Sequence, residues 1–327
     1  MRLLAMALAL LASSSAFAQG GPSFDCAKAS NAIERTICKD PELAKADREL
    51  AAAFAGLSGK LSGPAKDHLA KDQVRWIVER NQDCGRDKDG IEDCLKQRYA
   101  TRLDNLKAMA QGTYPFIGTQ SISKNGTVGK IAYTIDIRYP QFEGTTADFG
   151  AVNRVFAEDA KKSANEGTPK AEPGVQDPLP WSYEQGFALY RPGPDAVTIA
   201  VDYYGFSGGA HGFGATRCML VDLHTGRSVG PEGVFAAGDR WLKELVRLVG
   251  DDLKKQFIDK PGFDDALEPA NLAKLLRESR RYCYRHGKLE LIFNAYEVGP
   301  YVSGPYEVEI PYDRLKPLLR TDGPISR

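Results

Sequence analysis

The hydrophobic residues of this chain repeat with a helical period up to about position 110 and with a strand period afterwards. No other feature restricts its fold so strongly. Leu43, Asp47, Leu50, Phe54, Leu57 and Leu61 recur at steps of four and three, and Ile91, Leu95, Tyr99, Leu103 and Leu106 do nearly the same. Such spacing lays one buried stripe along each helix. Farther on, Ile131, Tyr133, Ile135, Ile137 and Tyr139 alternate with Lys130, Ala132, Thr134, Asp136 and Arg138, the pattern of a half-buried strand. Further strands fit 183–190, 196–204, 216–223, 289–294 and 306–310, with helices suggested by Phe149, Val152 and Phe156 and by Trp241, Leu245, Leu248 and Val249. Strands in succession with helices irregularly interspersed predict an α+β domain with a mainly antiparallel sheet, preceded by a small helical domain. The boundaries expected are 23–110 for the helical domain, 111–127 for a linker or entering edge segment, and 128–320 for the α+β domain.

Six cysteines divide along the same line: Cys26, Cys38, Cys84 and Cys94 in the helical part, Cys218 and Cys283 in the remainder. An even number in an oxidising compartment predicts disulfides, paired within each part. Cys218 then bonds Cys283. Cys84 and Cys94 flank the polar turn Gly85–Gly90 and invite a local bridge, and Cys26 reaches Cys38 if residues 26–29 fold back along the first helix. Crossed pairings among the first four stay open. Asp40-Pro41-Glu42 is a helix start, with a capping side chain, a proline at the first turn and an acid near the positive end. Gly63-Pro64 and the 85–90 stretch break the helices. Metal binding is disfavoured, because no C-x-x-C occurs and His68, His211, His224 and His286 are scattered singly.

The oxidising compartment follows from the start of the chain. In MRLLAMALALLASSSAFAQG one basic residue precedes an apolar run from Leu3 to Ala12, and Ala16-Phe17-Ala18 forms a small-x-small site. This predicts a secretory signal peptide over 1–18 and a periplasmic or secreted mature chain. With 43 basic and 43 acidic residues the net charge is +0, which gives no electrostatic footprint for nucleic acid or an anionic membrane. No cofactor is expected.

The stretch YYGFSGGAHGFG, residues 203–214, contains Gly205-Phe206-Ser207-Gly208-Gly209, a match to the G-x-S-x-G serine motif. That motif works on a strand-to-helix turn. Here residues 215–222 read as a strand, so the glycines mark a strand-loop-strand connection, and Phe206 stands where serine proteases place an Asp. Phe263-Asp264-Asp265 echoes a deacetylase metal pair but lacks the His-x-x-x-His such sites need. A recognition surface fits better. Tyr203, Tyr204, Phe206 and Phe213 flank the first loop, and NAYEVGPYVSGPYEVEIPY, residues 294–312, adds tyrosines and glycines around Glu297 and Ser303. Tyrosine supplies amphipathic contact area at low entropic cost and glycine permits close approach. The partner-binding residues expected are Tyr204, Ser207, Gly208, Gly209, His211, Tyr296, Glu297, Tyr301 and Ser303, with no catalytic residue. Tyr306 and Tyr312 are expected to pack within the sheet.

Two resemblances complete the reading. FDCAKASNAIERTICKDPELAKADRELAAAF, LAKDQVRWIVERNQDC and CLKQRYATRLDNL, over residues 24–107, resemble the LprI-type lysozyme-inhibitor family through Glu34, Ile37-Cys38, the Leu43–Asp47–Leu50 helix, Gln73, Trp76, Arg80 and Cys84, and Cys94, Arg98, Arg102 and Leu103. Residues 130–316 resemble the extracellular domain shared by the anti-sigma factor RsiV and the deacetylase PdaC, through Tyr139 to Gly144, Asn153, the SGGAHG loop, LVDLHTGRSV and residues 294–312. The first likeness implies lysozyme inhibition. In RsiV the second domain binds lysozyme, and in PdaC it accompanies a separate catalytic domain that this chain lacks. No transmembrane helix or sigma-binding segment is recognised, so sigma-factor control does not carry over; Cys218 and Cys283 are additions to the shared pattern. Together these imply a non-enzymatic binder of lysozyme-type muramidases that occludes their substrate cleft, with peptidoglycan as a second partner class. The alternatives are an envelope-glycan or ester hydrolase using Ser207, and a peptidoglycan-associated module without a protein ligand.

Overall fold

The computed structural model describes residues 20–86, 90–110, 116–143, 147–170 and 179–326; the expected leader over 1–18 lies outside them. Four helices come first: α1 (Ala32–Lys39), α2 (Pro41–Lys60), α3 (Gly63–Arg86) and α4 (Ile91–Ala110). The chain divides into two compact units, one gathering Met1–Ala52 with Ile77–Ala100, the other Ala53–Trp76 with Thr101–Arg327.

In the first unit the caps and bridges account for each turn. Asn31 caps α1 by accepting from the Glu34 N–H at 2.9 Å, while the Glu34 carboxylate accepts from the Ser30 N–H at 2.6 Å, a near relative of the capping box. Asp40 caps α2 through the Glu42 N–H at 2.7 Å, and Lys96 pairs with both Asp40 and Glu42. Disulfides join Cys26 to Cys38 and Cys84 to Cys94, the local pairings. Ile33, Ile37, Leu43, Leu50 and Leu95 form the apolar interior. Among them lies a polar thread: the Tyr99 hydroxyl donates to Asp47 at 2.7 Å and accepts from Arg80 at 2.7 Å, while the second Asp47 oxygen accepts from the Ser23 N–H, also at 2.7 Å. Burial holds the Tyr99 phenol far above the usual tyrosine range.

The second unit is built on a six-stranded sheet in the order β1 (Phe116–Val128), β2 (Ile131–Glu143), β3 (Trp181–Gly193), β4 (Ala196–Phe206), β5 (Phe213–Asp222) and β6 (Arg227–Val229). Residues 116–128, read from sequence as part linker or entering edge, are the edge strand β1. All pairings are antiparallel except β2 with β3, and that parallel step carries the crossover helix α5 (Gly150–Glu166), as parallel neighbours require. Asn153 pins α5 to β2, bonding both the N–H and the C=O of Phe142 at 2.8 and 2.9 Å. One face of the sheet packs Ile135, Ile137 and Tyr183 against Ala160 and Ala164 of α5. After the short α6 (Pro231–Val234), helices α7 (Arg240–Asp259) and α8 (Pro269–Leu275) pack with a second, antiparallel sheet of β7 (Tyr282–Tyr284), β8 (Lys288–Phe293) and β9 (Tyr306–Pro311). The Cys218–Cys283 disulfide ties β5 to β7, surrounded by Ala200, Ile292 and Tyr190. Leu57, Leu69, Leu103 and Leu106, on the parts of α2, α3 and α4 that belong to this unit, are buried, and the Asn105 side-chain oxygen accepts from the Leu189 N–H of β3 at 2.8 Å.

Candidate functional site

The β4–β5 connection reverses the chain within six residues. Gly208 and Gly209 have φ of 79° and 107°, a region that side-chain-bearing residues rarely enter. Tyr204 then lies across the backbone of the returning strand so closely that a Cβ on Gly212 would sit 2.2 Å from its hydroxyl. The same Cβ would lie 2.7 Å from the Gly205 carbonyl, a backbone clash that only glycine avoids without a shift of the turn. Ser207 is exposed at the head of this turn between two antiparallel strands. It has no strand-to-helix elbow behind it, the geometry that a G-x-S-x-G nucleophile uses.

The second loop, residues 294–304, is held from beneath by charge. Arg281 is 1% exposed; it donates to Glu297 at 2.9 Å, Glu278 at 3.2 Å and the carbonyls of Leu275 and Ile292 at 2.6 and 3.3 Å. The same Glu297 carboxylate accepts from the Asn294 N–H at 2.8 Å and from Arg280 at 3.3 Å. Glu297, a sequence candidate for partner contact, thus spends its acceptors inside the protein. Ser303 likewise donates to the Pro261 carbonyl at 2.9 Å. Between these anchors Tyr296 takes φ 71°, a left-handed conformation that costs an L-residue about 1–2 kcal/mol. Its N–H bonds the Gly299 carbonyl at 3.0 Å, and the Glu297 N–H bonds that of Asn294 at 3.0 Å. These bonds maintain the turn.

Asn294, which the sequence reading passed over, brings the two loops together. Its side-chain oxygen accepts from the Thr216 N–H at 2.8 Å and its amide donates to the Thr216 carbonyl at 3.1 Å. The loop's root is thereby clamped to β5, the strand that leaves the glycine turn. As a result the His211 ring stacks on Tyr301 at 3.8 Å and 19°, and Tyr301 in turn meets Tyr296 at 5.7 Å. The His211 Nδ1 lies 2.7 Å from the Gly212 carbonyl; since a carbonyl only accepts, Nδ1 carries the proton and Nε2 is left for another group. Tyr296 is 59% exposed and the neighbouring Val302 88%, while Tyr204 and Phe213 are each 49% exposed. Of the sequence candidates, His211, Tyr296 and Tyr301 converge on one aromatic patch. Ser207, Gly208 and Gly209 form the turn beside it, Tyr204 supports that turn, and Glu297 and Ser303 act as anchors. Among the described residues no group of three or more His, Cys, Asp or Glu side chains is placed to hold a metal ion.

Family comparisons match three successive segments of the chain. Residues 26–114 match the family described as Lysozyme inhibitor LprI, residues 129–214 that described as Deacetylase PdaC, and residues 232–313 that described as a protein of unknown function, DUF3298. The glycine turn falls in the PdaC match and the tyrosine loop in the DUF3298 match. No curated protein matches the chain. Among solved structures, a DUF3298 family protein from Pseudomonas aeruginosa PAO1 is similar at 18% identity and TM-score 0.43, covering 62% of this chain and 94% of its own. A DUF3298 family member from Bacteroides fragilis NCTC 9343 is similar at 16% identity and TM-score 0.45, covering 64% and 95%. The chain therefore has a segment similar to the LprI family followed by segments similar to the PdaC and DUF3298 families.

Proposed function

We propose that the protein is a periplasmic or secreted, non-enzymatic binder of lysozyme-type muramidases that blocks their substrate cleft. The LprI match supports the partner class. The observation that carries the proposed geometry is the stack of His211 on Tyr301, which joins two loops from distant parts of the chain into one pre-organised surface. Pre-organisation lowers the ordering cost of binding, and rigid aromatic anchors carry much of the energy of such interfaces. In the neutral ring the free Nε2 of His211 accepts from a hydroxyl or N–H donor, and only the protonated ring donates there to a carboxylate. Three disulfides fit an oxidising compartment. Among the described residues no helix is long and apolar enough to cross a membrane. A net charge of +0 supplies no long-range steering, so affinity should reside in complementarity and slow release.

The test is titration of c-, g- and i-type lysozymes with the mature protein, following heat of binding and lysis rate together. Saturable heat with falling lysis is expected for at least one class. Tyr301→Ala removes the ring shared by both loops and should weaken that complex by about 30-fold, the loss typical of a central aromatic anchor at ~2 kcal/mol. Absence of both heat and inhibition with all three classes would remove the reading.

A further inference from the structure

We propose that a cleft between α5 and the end of the six-stranded sheet binds a neutral oligosaccharide through its pyranose ring faces. The cleft holds about 350 Å³, within the range of small-ligand sites. Tyr203 lines it, backed by the buried Tyr183 at 6.0 Å and 21°, and the Arg217 guanidinium sits 5.4 Å from the Tyr203 ring centre, fixing it in place. Trp181, Phe206 and Phe213, each at least partly exposed, complete the aromatic lining. Ring faces are electron-rich and match the weakly positive C–H groups of a pyranose face.

The walls decide the charge of the ligand. Asp159 and Glu166 project from α5; Asp159 pairs with Arg217, and Glu166 lies 3.8 Å from Lys162, which also lines the cleft. Two acids against two bases leave no net field to select an anion or a cation. They do leave donors and acceptors of both kinds, with the exposed Ser207 hydroxyl beside them, and sugar hydroxyls need both. An anion would require unpaired bases, and an apolar side chain would leave the charged wall desolvated without gain.

The cleft shares Ser207 with the glycine turn but not Tyr301 or Tyr296, so sugar binding and lysozyme capture are separable at those rings. Chitohexaose and cellohexaose are titrated calorimetrically into the mature protein without lysozyme, alongside polygalacturonate and a tyrosine-containing peptide. Saturable binding of a neutral hexasaccharide is expected. It should weaken about tenfold in Trp181→Ala and in Phe213→Ala, recover in Trp181→Phe, and stay unchanged in Tyr301→Ala. Circular dichroism identifies any variant that fails to fold, and the two aromatic positions give independent readings. Heat from neither neutral sugar, stronger binding of the anionic or peptide probe, or full affinity in both alanine variants would overturn the proposal.

Discussion

The helical unit and the α+β unit both bury tyrosines, and they treat the hydroxyls in opposite ways. Tyr99 places its hydroxyl between Asp47 and Arg80, at 2.7 Å from each, so the phenol is a structural joint within the helical unit. Tyr284, 1% exposed in β7, has no hydrogen-bond partner for its hydroxyl among the described residues and contributes through its ring. A small unit with a thin apolar interior gains from a satisfied polar network, whereas a larger core tolerates an idle polar atom if packing is good. The same division applies to disulfides. The helical unit uses two short bridges spanning 12 and 10 residues, and the α+β unit one bridge spanning 65.

The largest effect that sharpens this comparison lies in the bridges. Chain entropy predicts a loss of about 4 kcal/mol for Cys218→Ser with Cys283→Ser, against about 3 kcal/mol for removing Cys26 and Cys38. Chemical denaturation of each variant measures both. Because Cys218 lies on β5, removing the long bridge should also loosen the strand that carries the Asn294 clamp, and affinity for the proposed lysozyme partner should fall with stability in that variant alone. Equal loss of affinity in both variants would mean that recognition does not reside in the two-loop patch.

The tyrosines give the next effect. Tyr99→Phe should cost about 2 kcal/mol, because Asp47 and Arg80 each lose a buried partner; Tyr284→Phe should be neutral or slightly stabilising. Burial raises the phenol of both above the ordinary tyrosine value of 10.0, and it raises Tyr282 and Tyr312 too. A raised value means that the folded state retains the proton. The associated stability is therefore fully present below pH about 10 and is lost as pH climbs toward the folded values, at up to about 1.4 kcal/mol per pH unit for each group. Alkaline unfolding should be less steep in either Phe variant. Unaltered steepness in Tyr284→Phe would show that its hydroxyl reaches solvent before global unfolding.

Much of this architecture is legible in the sequence, for identifiable reasons. Long elements with one buried face leave a period, so α2, α4, α5, α7 and the strands β2–β5, β8 and β9 could be read directly. Local caps are equally visible, as at Asp40. The three-residue strands β6 and β7 are too short to show alternation, and most of β1 beyond Phe116, Ile117 and Gly118 is exposed, so its composition resembles a loop. The site was harder. Glu297 looks like a surface acid because its partner Arg281 lies 16 residues away, and an almost fully buried arginine has no sequence signature. His211 and Tyr301 are brought together by Asn294, whose clamp to Thr216 spans 78 residues. No local pattern encodes a contact of that range.

The smallest effect isolates the patch itself. Tyr296 is exposed, so its ring adds little to the core, yet it is the one described non-glycine residue with positive φ. Strain of this kind persists where surrounding bonds over-determine the backbone, and the Gly299 and Asn294 carbonyls do so here. Tyr296→Gly should therefore stabilise the protein by about 1 kcal/mol, since glycine enters this region freely, while weakening lysozyme binding through loss of the ring that abuts Tyr301. Opposite signs for stability and affinity are the diagnostic outcome, read from denaturation and calorimetry on one variant. A variant that gains stability and keeps full affinity would show that the left-handed turn is a folding constraint and that recognition begins at Tyr301.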